Sequence, residues 1–322
     1  MSEMIFESKY EELEKLYKKI DERLRNQSDR IHTQTNTVVK YYKYLTGFLD
    51  DYEKDVKLLL SNIDIDLLEK ISLNIVLIKT IVQNYLEGNI MDSMLLTDII
   101  VNQNKGSKVN SKKKQAHKWY KGRSFDKGHV FDNNSDRPTP NEMSILPNDL
   151  RHLATTMRYS MLGFPCLYLG SSVKDCFKEC RASSNDKFFV AEFDEKYIEE
   201  LKIADFRVPR FERDDNKIKE DLKTWPIVIA CSIKVPYEKE NAKFKDEYIF
   251  PQLLMLSIKK NDEVDACVYT SVHREDPYNE DNIPQWDNIA IPAKDVNDNL
   301  FKLSADKVRA VDIEVECKIK EL

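Results

Sequence analysis

The groups best able to do chemistry fall between residues 148 and 181, NDLRHLATTMRYSMLGFPCLYLGSSVKDCFKECR. Arg158 comes first, followed by a turn at Gly163 and Pro165. Residues 166–169 predict a short apolar strand, and Ser171 or Ser172 suits the N-cap of a helix that carries Glu179 about two turns in. Read alone, Arg158 and Glu179 are surface charges, the usual place for both types. Upstream, residues 102–123 hold eight Lys or Arg and no acid. Such a run is either a solvated linker or a basic approach to a site for a phosphate-bearing ligand. It ends in Trp119-Tyr120-Lys121-Gly122-Arg123, where aromatic and basic groups alternate as on a strand leading into a site. Further on, Ser271 follows Tyr269 and Thr270. No His–Asp pair is placed to make it a nucleophile, and a strand terminator is its plainer role.

These groups need elements to hold them, and composition divides the chain accordingly. Of 322 residues only seven are Gly, eleven Pro and six Cys. Every Gly lies at or before Gly170, every Pro at or after Pro138, and every Cys at or after Cys166. The Pro-free first part suits helices. Phe6, Tyr10, Leu13, Tyr17, Ile20 and Leu24 form one helical stripe, and Val38, Tyr42, Leu45, Leu49, Tyr52, Val56 and Leu59 a second. A third helix is predicted over 66–85, stopped at Gly88, and a fourth begins at Met91. Strands are predicted at 166–169, 188–193, 227–235, 264–269, 288–291 and 311–315, with helices at 173–181, 195–201 and 251–258. Strands and helices mix without a βαβ rhythm, so the expected fold class is α+β: a helical bundle, then a mixed α+β domain. The expected boundaries are 1–104 for a helical regulatory or interaction domain, 105–118 for a basic linker and 119–322 for the second domain.

The same counts exclude several machines. No G-x-G-x-x-G or G-x-x-x-x-G-K-[ST] cradle is present, so dinucleotide and P-loop folds of those types are out. There is no C-x-x-C pair, and the five His never approach H-E-x-x-H spacing, which argues against a zinc site. No apolar run reaches about 18 residues, and MSEMIFESKYEELEK is acidic and polar rather than a signal peptide. A cytoplasmic protein with reduced Cys and no membrane partner is expected. A net charge of −6 gives no global attraction to nucleic acid.

Together, the ordered motifs resemble the RES-domain family, named for its Arg, Glu and Ser. The resemblance rests on Arg158-Tyr-Ser, the Gly163-Phe-Pro turn, the Leu-Tyr-Leu strand at 167–169, and a helical Glu179 eleven residues after Tyr168. It continues in Tyr248-Ile-Phe-Pro-Gln252, the segment 264–271 ending at Ser271, and Asn288 before a last core strand. It covers about 119–292. The family commonly opens with an aromatic residue followed directly by Arg, whereas this chain has Tyr120-Lys121-Gly122-Arg123. Either Lys121 takes the place of that Arg or Arg123 supplies the guanidinium; Lys cannot make the bidentate fork to phosphate, which favours Arg123.

The resemblance implies an enzyme with a fold related to ADP-ribosyltransferases that consumes NAD⁺ as a substrate, without a true cofactor or metal, and acts as a toxin or defence effector. Glu179 would steady the positive charge that develops on ribose as nicotinamide leaves. Arg158 and Arg123 would hold the diphosphate, with Lys121 as an auxiliary. Tyr120 or Tyr168 would stack on nicotinamide, Ser271 would bind the ribose or the amide, and Gln252 and Asn288 would complete the site. Water, phosphate or a protein side chain remains open as acceptor. The helices at 1–104 would recruit an antitoxin or an activating or inhibiting protein, with homo-oligomers left open. A rival reading is the loose R-x6-H pattern of Arg25 and His32, similar to HEPN-type ribonucleases, which would act on RNA.

Overall fold

In a computed structural model the described residues are 2–27, 38–60, 64–104, 118–126, 128–131, 136–146, 148–181, 187–193, 198, 200–236, 242–273, 287–294 and 308–310. The chain is α+β, as its residue pattern predicts. Helices α1 (Ser2–Arg25), α2 (Val38–Leu60), α3 (Ile65–Leu86) and α4 (Ile90–Asn104) come first. Then follow β1 (Trp119–Phe125), a 3-10 turn (Asn148–Leu153), β2 (Cys166–Gly170), α5 (Val173–Glu179), β3 (Lys187–Phe193) and β4 (Ile203–Phe206). The remainder is α6 (Asp215–Cys231), α7 (Ile249–Lys260), β5 (Ala266–Thr270), β6 (Asp287–Pro292) and β7 (Val308–Ala310). The strand expected at 311–315 lies outside the described residues, as does most of the helix expected at 195–201.

Two compact units form: Met1–Lys108 with Phe206–Ser257, and Val109–Asp205 with Ile258–Leu322. This differs from the expected partition, which kept 206–257 in the second domain. Of the segment 227–235, expected as a strand, residues 227–231 instead end helix α6 and 232–235 follow it without regular structure. Its run Trp225–Cys231 is buried all round, so the sequence carries no alternation to separate buried strand from buried helix. Asp214 caps α6 by accepting from the Lys217 amide at 2.9 Å. Pro226 lies inside the helix and leaves the Leu222 carbonyl without its usual donor. The Tyr52 hydroxyl donates to that carbonyl at 2.6 Å, so α2 satisfies the group that proline orphans. Tyr17 of α1 meets Trp225 edge-on at 5.7 Å. Burial of Leu13, Leu45, Leu49, Ile71, Ile75 and Ile78 completes this core.

In the second unit the strands form one seven-stranded sheet, ordered β4-β5-β6-β2-β1-β3-β7. β1 pairs antiparallel with β2 and β3, β6 with β2 and β5, and β3 with β7. Strand alternation gives the sheet two distinct faces. One carries Phe125, Leu167, Leu169, Phe189, Val268, Ile289 and Ile291 and packs with Phe131 and Met143. The other carries Phe188 and Val190 and packs with Tyr120, Val173, Cys176, Phe177 and Cys180, so α5 lies on this face.

The approach of α5 depends on two glycines. A Cβ at Gly170 would come within 2.9 Å of Cys176 Sγ. One at Gly122 would come within 2.8 Å of Cys176 Cβ and 2.6 Å of the Phe188 ring. Gly122→Ala must therefore push helix or ring outward, and overpacking of this kind costs roughly 1–3 kcal/mol. A lower urea midpoint with unchanged slope would register that cost; a wild-type midpoint would contradict the packing described.

Candidate active site

Glu179 is the last residue of α5, which starts with Ser172 as N-cap, its hydroxyl accepting from the Asp175 amide at 3.1 Å. Ser171 is fastened to the sheet: its amide donates to the Asp287 carbonyl at 2.9 Å, and its hydroxyl donates to Asp175 Oδ2, also at 2.9 Å. The helix start is thus tied to the first residue of β6. At the other end, Cys180 caps the helix and Arg181 takes a left-handed conformation, φ 49°.

Two donors converge on the Glu179 carboxylate. The Ser271 hydroxyl donates to Oε1, and Asn288 Nδ2 donates to the same oxygen at 2.9 Å. Ser271 follows β5 and Asn288 lies on β6, so three elements distant in sequence meet at one oxygen. The Ser271 oxygen also accepts from the His273 amide at 3.0 Å, which fixes its rotamer. Ser271 is therefore a donor to the carboxylate. Tyr269, opposite Asn288 in the β5–β6 register, lies beside this group. Burial, and then the Glu179 charge, push its phenol well above the usual range, while the Arg158 charge opposes this.

Arg158 reaches the neighbourhood on a tight turn. Met157 and Ser160 bond to each other through both backbone amides, leaving Arg158 and Tyr159 at the tip. Tyr168 of β2 pins this turn. Its hydroxyl accepts from the Tyr159 amide at 3.1 Å and bonds the Ser160 hydroxyl at 2.9 Å. Tyr168 is thus engaged with the loop, whereas an aromatic wall for a ligand was expected of it. The Tyr159 ring packs on Tyr269 at 4.6 Å, and Tyr269 in turn borders the carboxylate group. Neither was singled out from sequence. A usable signal existed for Tyr269, which lies two positions before Ser271 and so on the same strand face.

Among the described residues neither Lys121 nor Arg123 bonds to Glu179, although the charges of both act on its neighbour Cys180. Both lie on the face of β1 shared with Phe125, opposite to Tyr120 and Gly122, which meet α5. Lys121 donates to the Ser144 carbonyl and Arg123 to the Glu142 carbonyl. Arg123 also sits over the Phe125 ring at 5.1 Å. Two cations at i and i+2 thereby clasp the 142–144 turn, which Thr139 and Glu142 stiffen through mutual hydrogen bonds. Tyr120 faces α5, its carbonyl accepting from Cys176 Sγ at 3.1 Å. Gln252 lies on α7 and belongs to the first compact unit, whereas Glu179 belongs to the second. Of the rival pair, Arg25 donates to buried Asp21 at 3.0 Å, and His32 lies outside the described residues.

A protein of Bacillus subtilis (strain 168) is similar to this chain. It bears the name "Putative toxin YopC" and is 29% identical over 184 residues. The match covers 52% of this chain and 40% of that protein, so the chain spans well under half the length of the curated relative it matches. No protein-family model matches the chain, and no solved structure does. Among the described residues no helix is long and apolar enough to cross a membrane.

Burial and the adjacent Arg123 charge lower the Lys121 ammonium to about 7. An unfolded lysine titrates near 10.4. Between these values the unfolded chain holds a proton that the folded chain has released, so stability rises with pH. Below about pH 7 both states are protonated and the full cost of burying the ammonium stands. Lys121→Met lacks this titration. Its stability relative to wild type should fall as pH rises from 7 to 9.5, by up to about 1.4 kcal/mol per pH unit. Urea titrations at several pH values measure the difference; a pH-independent gap would show that Lys121 titrates normally.

Proposed function

We propose that this chain is a toxin that degrades NAD⁺ by cleaving the bond between nicotinamide and ribose. The observation that carries the reading is the Glu179 carboxylate, bound through one oxygen by Ser271 and Asn288 and bordered by Tyr269. Breaking that bond leaves positive charge on the ribose ring, and a fixed carboxylate beside it lowers the barrier electrostatically. Arg158 would bind a phosphate of the same substrate. The arrangement of Arg158, Glu179 and Ser271 accords with the RES-domain resemblance, and the similarity to a protein named as a toxin agrees with the biological role. A chain that consumes NAD⁺ in the cell that makes it needs restraint, so a neutralising protein partner belongs to the proposal.

Attack by water would release nicotinamide, ADP-ribose and a proton. Attack by phosphate would give nicotinamide and ADP-ribose phosphorylated on the ribose that carried it. Transfer to a protein side chain is the third outcome. Purified protein incubated with NAD⁺, with and without phosphate, and followed by mass spectrometry separates them. Free nicotinamide should appear in time with loss of NAD⁺, and Glu179→Gln should slow it by at least about 100-fold, the scale for removing one electrostatic stabiliser. NAD⁺ left intact under all these conditions, or a fully active Glu179→Gln, would sink the reading.

A further inference from the structure

We propose that Asn288 is a positioning residue for Glu179: together with Ser271 it holds Oε1, so that the carboxylate presents Oε2 alone to the substrate. The inference rests on the reading of Glu179 as the reactive carboxylate, and it changes the role expected for Asn288, that of binding NAD⁺ directly.

The geometry excludes the direct role while the contact lasts. Asn288 is 3% exposed, on a strand paired on both sides, with Gly170 of β2 and Tyr269 of β5 as register partners. A Cβ at Gly170 would lie 3.4 Å from Asn288 Oδ1, so the amide fills the space that this glycine leaves. Its donor nitrogen must face Glu179, because an ionised carboxylate can only accept. Among the described residues no hydrogen bond reaches Glu179 Oε2, and no basic side chain forms an ion pair with Glu179. Both restraints are neutral donors. A cation in the same place would quench the negative charge that a developing ribosyl cation needs, whereas an amide and a hydroxyl fix its position and leave it intact. The carboxylate also stands at the last residue of α5, where the partial negative charge of the helix end disfavours an anion. The two donors offset that as well.

The choice of amide over acid is therefore testable through the titration of Glu179 itself. In protein labelled with ¹³C at Glu side chains, the Glu179 carboxyl signal is identified by its loss in Glu179→Gln. Asn288→Asp sets a second carboxylate at hydrogen-bond distance, and like charges so close cannot both ionise at their ordinary pH. The Glu179 midpoint should rise by about one pH unit or more, and the acid limb of NAD⁺ turnover should move with it. Asn288→Ala should lower kcat by roughly 10-fold or more with little change in KM, since it removes positioning rather than binding. In the unsubstituted protein, the Asn288 side-chain amide resonances should shift with the same midpoint as the Glu179 carboxyl, a readout that requires no variant to fold. Amide resonances that ignore the Glu179 titration, or a midpoint unmoved in a folded Asn288→Asp, would overturn the inference. If these midpoints behave as stated but wild type leaves NAD⁺ intact, the positioning role stands and the NAD⁺ reading falls.

Discussion

The convergence of Ser271 and Asn288 on one oxygen of Glu179 is the interaction on which the rest of the second unit depends. A carboxylate at the end of a seven-residue helix would ordinarily turn to solvent. Here it is drawn against the sheet by two neutral donors, each worth about 1.5–3 kcal/mol when the acceptor is charged. One donor directly follows β5 and the other lies on β6, so the group assembles only when β5, β6 and α5 are in register. The Ser171–Asp287 bond at the start of the helix serves the same registration from the other end.

Bringing a helix this close to a sheet has a steric condition. Gly122 and Gly170 meet it by leaving no side chain beneath Cys176. Chemistry-bearing groups and packing are thus coupled: the thiol that fills the gap under α5 is deeply buried, while the Glu179 carboxylate three residues on stays half-buried at the edge. The opposite face of β1 has a separate task. Lys121 and Arg123 spend their donors on backbone carbonyls of the 142–144 turn, which fixes that loop over the apolar face of the sheet. Of the expected cations, Arg158 acts with Glu179 on the Tyr269 phenol.

Much of this was legible in the residues because local signals and tertiary structure agree. The 3.6-residue stripes of Tyr10, Leu13 and Tyr17 and of Leu45, Leu49 and Tyr52 fall on α1 and α2, and Gly88 adopts φ 88° directly after α3. The Ser172 cap and the Leu-Tyr-Leu strand lead to Glu179 as expected. Two kinds of information were missing. Residues 225–231 are buried all round, so period could not separate strand from helix, and Pro226 reads as punctuation until Tyr52 is seen to satisfy Leu222. Which face a strand residue points to is invisible until one contact is known. Arg123 therefore looked equivalent to Arg158, yet alternation from Gly122, whose bare Cα meets α5, sends it to the other side. The similarity between Asn288 as ligand and Asn288 as support is of the same kind, since one residue type serves both and only burial separates them.

A structure of Glu179→Gln soaked with NAD⁺ addresses the central claim most directly, because the variant should bind the substrate while cleaving it slowly. The account predicts the ribose that carries nicotinamide within hydrogen-bond reach, about 3 Å, of the outward atom of residue 179, with Arg158 against a phosphate. NAD⁺ seated elsewhere on the chain, or no bound NAD⁺ at saturating concentration, would contradict it.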